Sequence, residues 1–312
     1  MSNTEFTFEP SPCIPFRDVE AVKRCRAIKC EDMAKHKNPD FKIRVIPDGD
    51  LEMIWVEDIF YRIKKASDEG RKLVLVLPNP CPVYRHVARL INRFQVDCSK
   101  LVVFPMDEYA DQDGNVAPVT WRYGFGYAMI NYLINEIDPK LRPPASQIHY
   151  FTTKNVNDYS KMIADEGNAD AIYTGPGWTG HVAFIEPDAP EFDAPLEEWM
   201  KMGARICTLS PFTLAQNSLH GSFGMSGDLC AVPPKAATIG PLEVINAKYR
   251  MEIHGIGVHG TTTSWQRMMT RLCLHGPVTP KLPTSVHQLL KTDVYVTEIA
   301  AMNIEDHFEK GY

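Results

Sequence analysis

No stretch of this 312-residue chain is apolar for long enough to cross a bilayer as a helix, which takes about 20 consecutive apolar residues. Basic runs are also missing: 33 Lys and Arg stand against 39 Asp and Glu, and the net charge of −6 argues against a general nucleic-acid binder. The eight cysteines form no Cys-x-x-Cys pair, so neither a zinc site nor a disulfide framework is signalled and mostly buried, reduced thiols are expected. The opening Met1-Ser-Asn-Thr-Glu-Phe6 lacks the basic and apolar regions of a signal peptide. There is no internal repeat and no low-complexity linker. These absences lead us to expect a soluble cytoplasmic protein with no membrane or nucleic-acid partner.

What is present is an ordinary globular composition, 44% hydrophobic and 23% charged, in a chain long enough for a sizeable core. Residues 1–41 carry no strand signal; Val19, Val22 and Ile28 have helical spacing, which predicts a helical extension packed on the domain or on a neighbouring subunit. From residue 42 to 312 strands and helices alternate in one domain. Strands are expected at 42–46, 73–77, 101–104, 171–173, 236–240, 251–258 and 294–301, and helices at 48–65, 82–94, 123–137 and 264–274. Such alternation implies right-handed crossovers and an α/β three-layer sandwich with a mainly parallel, Rossmann-like sheet. Ligands bind such sheets beyond the carboxyl ends of the strands, where Asn79, Asp107, Gly175 and Gly260 fall.

Two segments concentrate the chemistry. Gly175-Pro-Gly-Trp-Thr-Gly-His-Val-Ala-Phe-Ile-Glu-Pro187 follows a short apolar strand and delivers three glycines, His181 and Glu186 within a dozen residues. Backbone without a Cβ lets a small molecule approach closely. Met106-Asp-Glu-Tyr109 places Asp107 and Glu108 at the end of a second strand, although strand alternation makes adjacent side chains diverge. His181 also suits a satisfied core position, Asp107 a turn cap, and Glu108 a structural ion pair. His254 and His259 fall short of a metal ligand set and suit packing better, so no metal or cofactor is implied. Trp178 and Trp265 suit either the cleft wall, as an apolar face for a sugar, or the core. Cys81 reads as a small side chain filling a proline-rich turn.

In this order the motifs resemble the glucosamine-6-phosphate deaminase family, which belongs with the 6-phosphogluconolactonases to one broader group. The resemblance covers about residues 42–301. It implies that Asp107, beside Glu108, moves a proton between sugar carbons, that His181 assists ring opening, and that Glu186 orients it. It implies a ligand-binding surface from Asn79, Cys81, Tyr109, Gly175, Gly177, Trp178, Thr179, Gly180, Gln266 and Arg267, and it leaves open a homo-oligomer.

The chain departs from the family at the relay and at the phosphate clamp. Thr179 stands where the family has an aspartate. Leu77-Pro-Asn-Pro-Cys-Pro82 replaces a glycine-rich phosphate loop with one whose three prolines remove amide donors. Gln266 takes the place of a lysine, with Arg267 beside it as a substitute, and Thr213 or Leu214 takes the place of an arginine. A dianionic phosphate needs charged partners. The expectation is therefore a divergent deaminase-like enzyme acting on a small sugar or sugar derivative other than a standard 6-phosphosugar. The alternatives are a non-catalytic sugar sensor and a sugar lactonase.

Overall fold

Leu73-Val-Leu-Val-Leu77 and Leu101-Val-Val-Phe-Pro105 set the frame, because an apolar run of five has no face to offer water. The computed structural model describes residues 7–258, 261–262 and 264–305, and in it both runs are completely buried strands. In chain order the strands are β1 (Phe41–Ile46), β2 (Leu73–Leu77), β3 (Leu101–Pro105), β4 (Asp107–Ala110), β5 (Ala171–Thr174), β6 (Arg205–Thr208), β7 (Lys235–Thr238), β8 (Arg250–His254), β9 (Gly257–Val258), β10 (Thr261–Thr262) and β11 (Thr292–Thr297). The helices are α1 (Val19–Arg26), α2 (Leu51–Asp68), α3 (Tyr84–Phe94), α4 (Phe125–Met129), α5 (Tyr159–Asp165), α6 (Leu196–Trp199), α7 (Pro211–Ser218), α8 (Pro241–Asn246), α9 (Gln266–His275) and α10 (Glu298–Ala301).

Six strands form a wholly parallel sheet in the order β1-β11-β8-β5-β2-β3. Side chains alternate between its faces. Leu73, Leu75 and Leu77 of β2 pack with Ile59 and Ile63 of α2 and Val87 and Ile91 of α3. Val74 and Val76 point the other way, into a core shared with Tyr159, Ile163, Cys207 and Ala236. The chain leaves β2 for its neighbour β3 and leaves β5 for its neighbour β8, in opposite directions across the sheet. That divergence opens a crevice at the carboxyl ends of β2 and β5.

The parallel sheet and its helical cover match the expected architecture, and the differences are local. Asp107–Ala110 is not merely the end of β3: it pairs antiparallel with β7, which pairs antiparallel with β6 in a separate three-stranded sheet. The expected strand at 236–240 therefore belongs to that sheet. The expected strand at 251–258 stops at His254, and the one at 294–301 ends at Thr297, whose side chain caps α10 by accepting from the Ala300 amide. The helix expected over 123–137 begins as α4 and passes into a π-turn at Ile130–Ile134.

The N-terminal segment is tied to the body of the protein. Cys25 of α1 packs against Leu272 and Leu282. Arg271 of α9 is completely buried and donates to the carbonyls of Ile28, Arg267, Ala300, Ala301 and Met302. One guanidinium thus joins the N-terminal segment, α9 and the end of α10.

Candidate active site

The crevice is a cavity of about 900 Å³. The loop Pro78–Val83 after β2, Met106 and Asp107 after β3, Gly175–Gly177 after β5, and Ile253 and Gly255 at the end of β8 all line it. Asp107 and His181 open into this same space.

Antiparallel pairing of β4 with β7 separates the two neighbouring acids. Asp107 faces the cavity, is 5% exposed, and its Oδ1 has no hydrogen-bond partner. Burial, and then the charge of Glu108, hold its carboxyl well above the usual carboxylate range. Glu108 turns away and accepts from the amides of Tyr109 at 2.9 Å, Phe125 at 3.0 Å and Gly126 at 2.7 Å. It clasps the start of α4, and burial pushes it up to about 7 in spite of those three bonds. Glu108 is thus a structural clasp, and the catalytic role expected for it does not fit its position. Tyr109 does not line the cavity either; it is fully buried among Trp121, Phe125, Phe184 and Phe223.

His181 is held on its Nδ1 side. That nitrogen lies 3.0 Å from the Thr179 hydroxyl, 3.0 Å from the Thr213 hydroxyl and 3.4 Å from Glu186 Oε2. The Thr179 hydroxyl donates to Glu186 Oε2 at 2.9 Å. Its single proton is thereby committed, so it accepts from Nδ1–H, and these contacts all hold the ring from its Nδ1 side. Nε2 sits directly over Gly177: a Cβ there would lie 1.9 Å from it. Gly180, at φ +79°, makes the turn that brings the imidazole back over Gly177. Glu186 is completely buried. Burial by itself would raise it, but the charge of His181 and hydrogen bonds from His181, Thr213 and Thr179 outweigh that and leave it below its usual value.

Two more buried polar atoms in residues lining the cavity have no hydrogen-bond partner: Asn79 Oδ1 and Gln266 Oε1. The remaining amide of Gln266 donates to the Pro176 carbonyl at 2.9 Å, and that of Asn79 to Leu77. Cys81 lines the cavity, but burial pushes its thiol up to about 12, which leaves it inert. Gly175 packs against β8, where a Cβ would meet the Ile253 carbonyl at 2.9 Å. Trp178 stacks on Trp265 at 5.9 Å between ring centroids and 6° between planes, and Trp265 forms the cavity wall. Arg267 does not reach the cavity; it donates to the Ile299 carbonyl, which removes it as a substitute for the missing lysine.

The sequence marks Thr213 or Leu214 only as standing in for an arginine, and α7 and the cavity rim contribute more than that. Thr213, Gln216 and Asn217 lie at i, i+3 and i+4 on α7, a spacing that places them on one helix face. Arg85, Arg89 and Arg122 line the outer part of the cavity. Of these, Arg85 faces Glu136 at 3.5 Å and covers the Tyr132 ring. Among the described residues no cluster of His, Cys, Asp and Glu is arranged to hold a metal ion, and no helix is long and apolar enough to cross a membrane. His259 and Gly260 lie outside the described residues.

No protein-family profile matches the chain. The glucosamine-6-phosphate deaminase of Caenorhabditis elegans is 27% identical over 190 residues, 60% of this chain and 65% of that protein. The Dictyostelium discoideum deaminase is 25% identical, again over 60% of this chain and 65% of its own length, so the chain spans just under two thirds of these two relatives. The Porphyromonas gingivalis deaminase is 26% identical over 83% of this chain and 92% of its own. Among solved structures, a monomeric glucosamine-6-phosphate deaminase superposes with a TM-score of 0.67 at 20% identity over 83% of this chain and 98% of its own. The 6-phosphogluconolactonase of Thermotoga maritima superposes with a TM-score of 0.55 at 18% identity over 82% of this chain and 98% of its own. The sequence similarity to glucosamine-6-phosphate deaminases, and the fold shared with a deaminase and with 6-phosphogluconolactonases, are consistent with a divergent member of the superfamily that holds both. The sequence similarities named here are all to deaminases.

Proposed function

We propose that this protein is an enzyme that transfers a proton within a small sugar or sugar derivative, by isomerisation, deamination or a related elimination. Asp107 serves as the base and His181 as the ring-opening group, oriented by Glu186 through Thr179. One observation carries this reading: a desolvated carboxyl and an imidazole held from its Nδ1 side line one cavity. A carboxyl raised in this way is a stronger base than one in water, and a fixed tautomer spares the imidazole a reorganisation step.

The unpartnered atoms of Asn79 and Gln266 suit a ligand rich in hydroxyl or amino groups, which would satisfy these two acceptors. The same atoms speak against a phosphate near Gln266, where a carbonyl oxygen takes the place of a cation. The sugar of this reading therefore carries no phosphate held at Gln266, and the cations of the cavity lining are Arg85, Arg89 and Arg122.

The test is a thermal-shift panel of neutral sugars, amino sugars, lactones and their 6-phosphates, with products followed by mass spectrometry. Stabilisation by an unphosphorylated sugar, followed by an isomerised or deaminated product, is the expected result. Acid released from a lactone would make the protein a lactonase. Binding without product would make it a sensor, and preference for a 6-phosphate would overturn the substrate assignment.

A further inference from the structure

A buried ionic cluster lies behind the His181 loop, and no step described so far uses it. Glu252 and His254 lie two residues apart on β8, so they share one face of the strand. Both are completely buried, as are Thr270 of α9 and His287 of the 3₁₀ segment Pro283–Leu289. Glu252 Oε1 is 2.7 Å from His254 Nε2, and His254 Nδ1 is 3.0 Å from the Thr270 hydroxyl. Glu252 Oε2 approaches His287 Nδ1 to 2.8 Å, within ion-pair distance though off the line of a good hydrogen bond. The two imidazoles overcome the effect of burial and hold the carboxyl down at about 2. Helix α9 adds Cys273, whose thiol is pushed up by burial and by the charge of Glu252.

The segment that carries His287 also carries Thr284. Its amide donates to the Gly180 carbonyl at 2.9 Å, and its hydroxyl donates to the His181 carbonyl at 3.0 Å. Leu282, at the start of the same segment, packs against Gly180. His181 is therefore gripped from two sides, by Thr179, Thr213 and Glu186 at the ring and by Thr284 at the backbone. The second grip is anchored to the sheet where His287 meets Glu252. Beyond His254 the chain passes straight into Gly255, on the cavity wall.

We propose that Glu252 is a positioning residue for His181, acting through His287 and Thr284 to fix the loop that aims the imidazole into the cleft. The proposal rests on the reading of His181 as a working group of the site. Its consequence is that removing the charge at Glu252 disturbs His181 across an intervening layer of structure.

The experiment is two-bond ¹H–¹⁵N NMR on histidine-labelled full-length protein. The His181 signals are assigned by their loss in His181→Gln and titrated in wild type, Glu252→Gln, Thr284→Val and Glu243→Gln. Glu243 serves as control because it is a buried carboxyl that closes the capping box of α8, away from the cleft. The expected result is a His181 titration midpoint displaced by about half a unit or more in both Glu252→Gln and Thr284→Val, a threefold change in the protonation constant. Glu243→Gln should lower the melting temperature and leave that midpoint alone.

An unmoved His181 in Glu252→Gln overturns the proposal and leaves the cluster as simple packing. If Glu252→Gln does not fold, Thr284→Val decides alone, and an unmoved midpoint there has the same meaning. No sugar is needed for this measurement, so failure of the ligand panel and failure of this proposal are separate results.

Discussion

Thr179 bridges His181 and Glu186 through one hydroxyl, 3.0 Å from the imidazole and 2.9 Å from the carboxylate. The family that the motifs resemble has an aspartate at this position, and Thr179 cannot carry its charge. The geometry instead has a neutral hydroxyl passing orientation from the carboxylate to the ring. Thr179→Val keeps the volume and removes the bridge, and we expect turnover of the cognate sugar to fall on the order of 10²-fold. Thr179→Asp should retain most of the activity, since it restores an acceptor for Nδ1–H. Steady-state rates of the three proteins check this.

Gly177→Ala tests how closely the imidazole is seated. The new methyl would lie 1.9 Å from His181 Nε2, so the ring has to leave its position. Turnover should be lost at a modest cost in stability, about 1–3 kcal/mol, because the displacement ends in the open cavity. Thermal unfolding and a rate assay on the same sample separate the two effects.

Asp107→Asn should be inactive and yet more stable at neutral pH. Burial raises the Asp107 carboxyl well above its unfolded value, so its contribution to stability is fully present below about pH 4 and is lost as pH rises through the folded value. The variant should therefore melt with wild type in acid and above it at pH 7–8. Coincident melting curves across that range would count against a desolvated base.

Glu252 has the opposite sign. Its carboxyl is depressed to about 2, so its stabilisation is present above about pH 4.5 and disappears as pH falls toward 2. The wild-type margin over Glu252→Gln should be on the order of 3 kcal/mol near neutrality and shrink to nothing at the acid end, as read by chemical denaturation at a series of pH values.

Arg271→Met removes a buried cation that binds five carbonyls. Stranding those acceptors should cost about 3–5 kcal/mol and expose the N-terminal segment to limited proteolysis before the rest of the chain.

Much of this was legible in the sequence. Unbroken runs such as Leu73–Leu77 marked buried parallel strands. The glycine-rich turn before His181 and the paired acids after β3 marked the crevice, because such turns follow strand ends. The division of labour between Asp107 and Glu108 was not legible, since it depends on β4 pairing with a strand far along the chain, as in Asp107 with Thr238. Thr213 reaches His181 from a separate helix, and aligned by motif it seemed only to mark a lost arginine. Arg267 looked available beside Gln266 until the helix turned it toward Ile299. The cluster around His254, weighed with His259 in the sequence, was not legible because Glu252 joins it to His287, far along the chain.

The central claim is that Asp107 moves a proton on a bound sugar. The most direct measurement is deuterium uptake from D₂O at the sugar carbon next to the anomeric centre, followed by NMR with the sugar that the binding panel returns. Wild type should exchange that hydrogen and Asp107→Asn should fall to the enzyme-free rate while still binding the sugar. Exchange by Asp107→Asn at the wild-type rate would contradict the account.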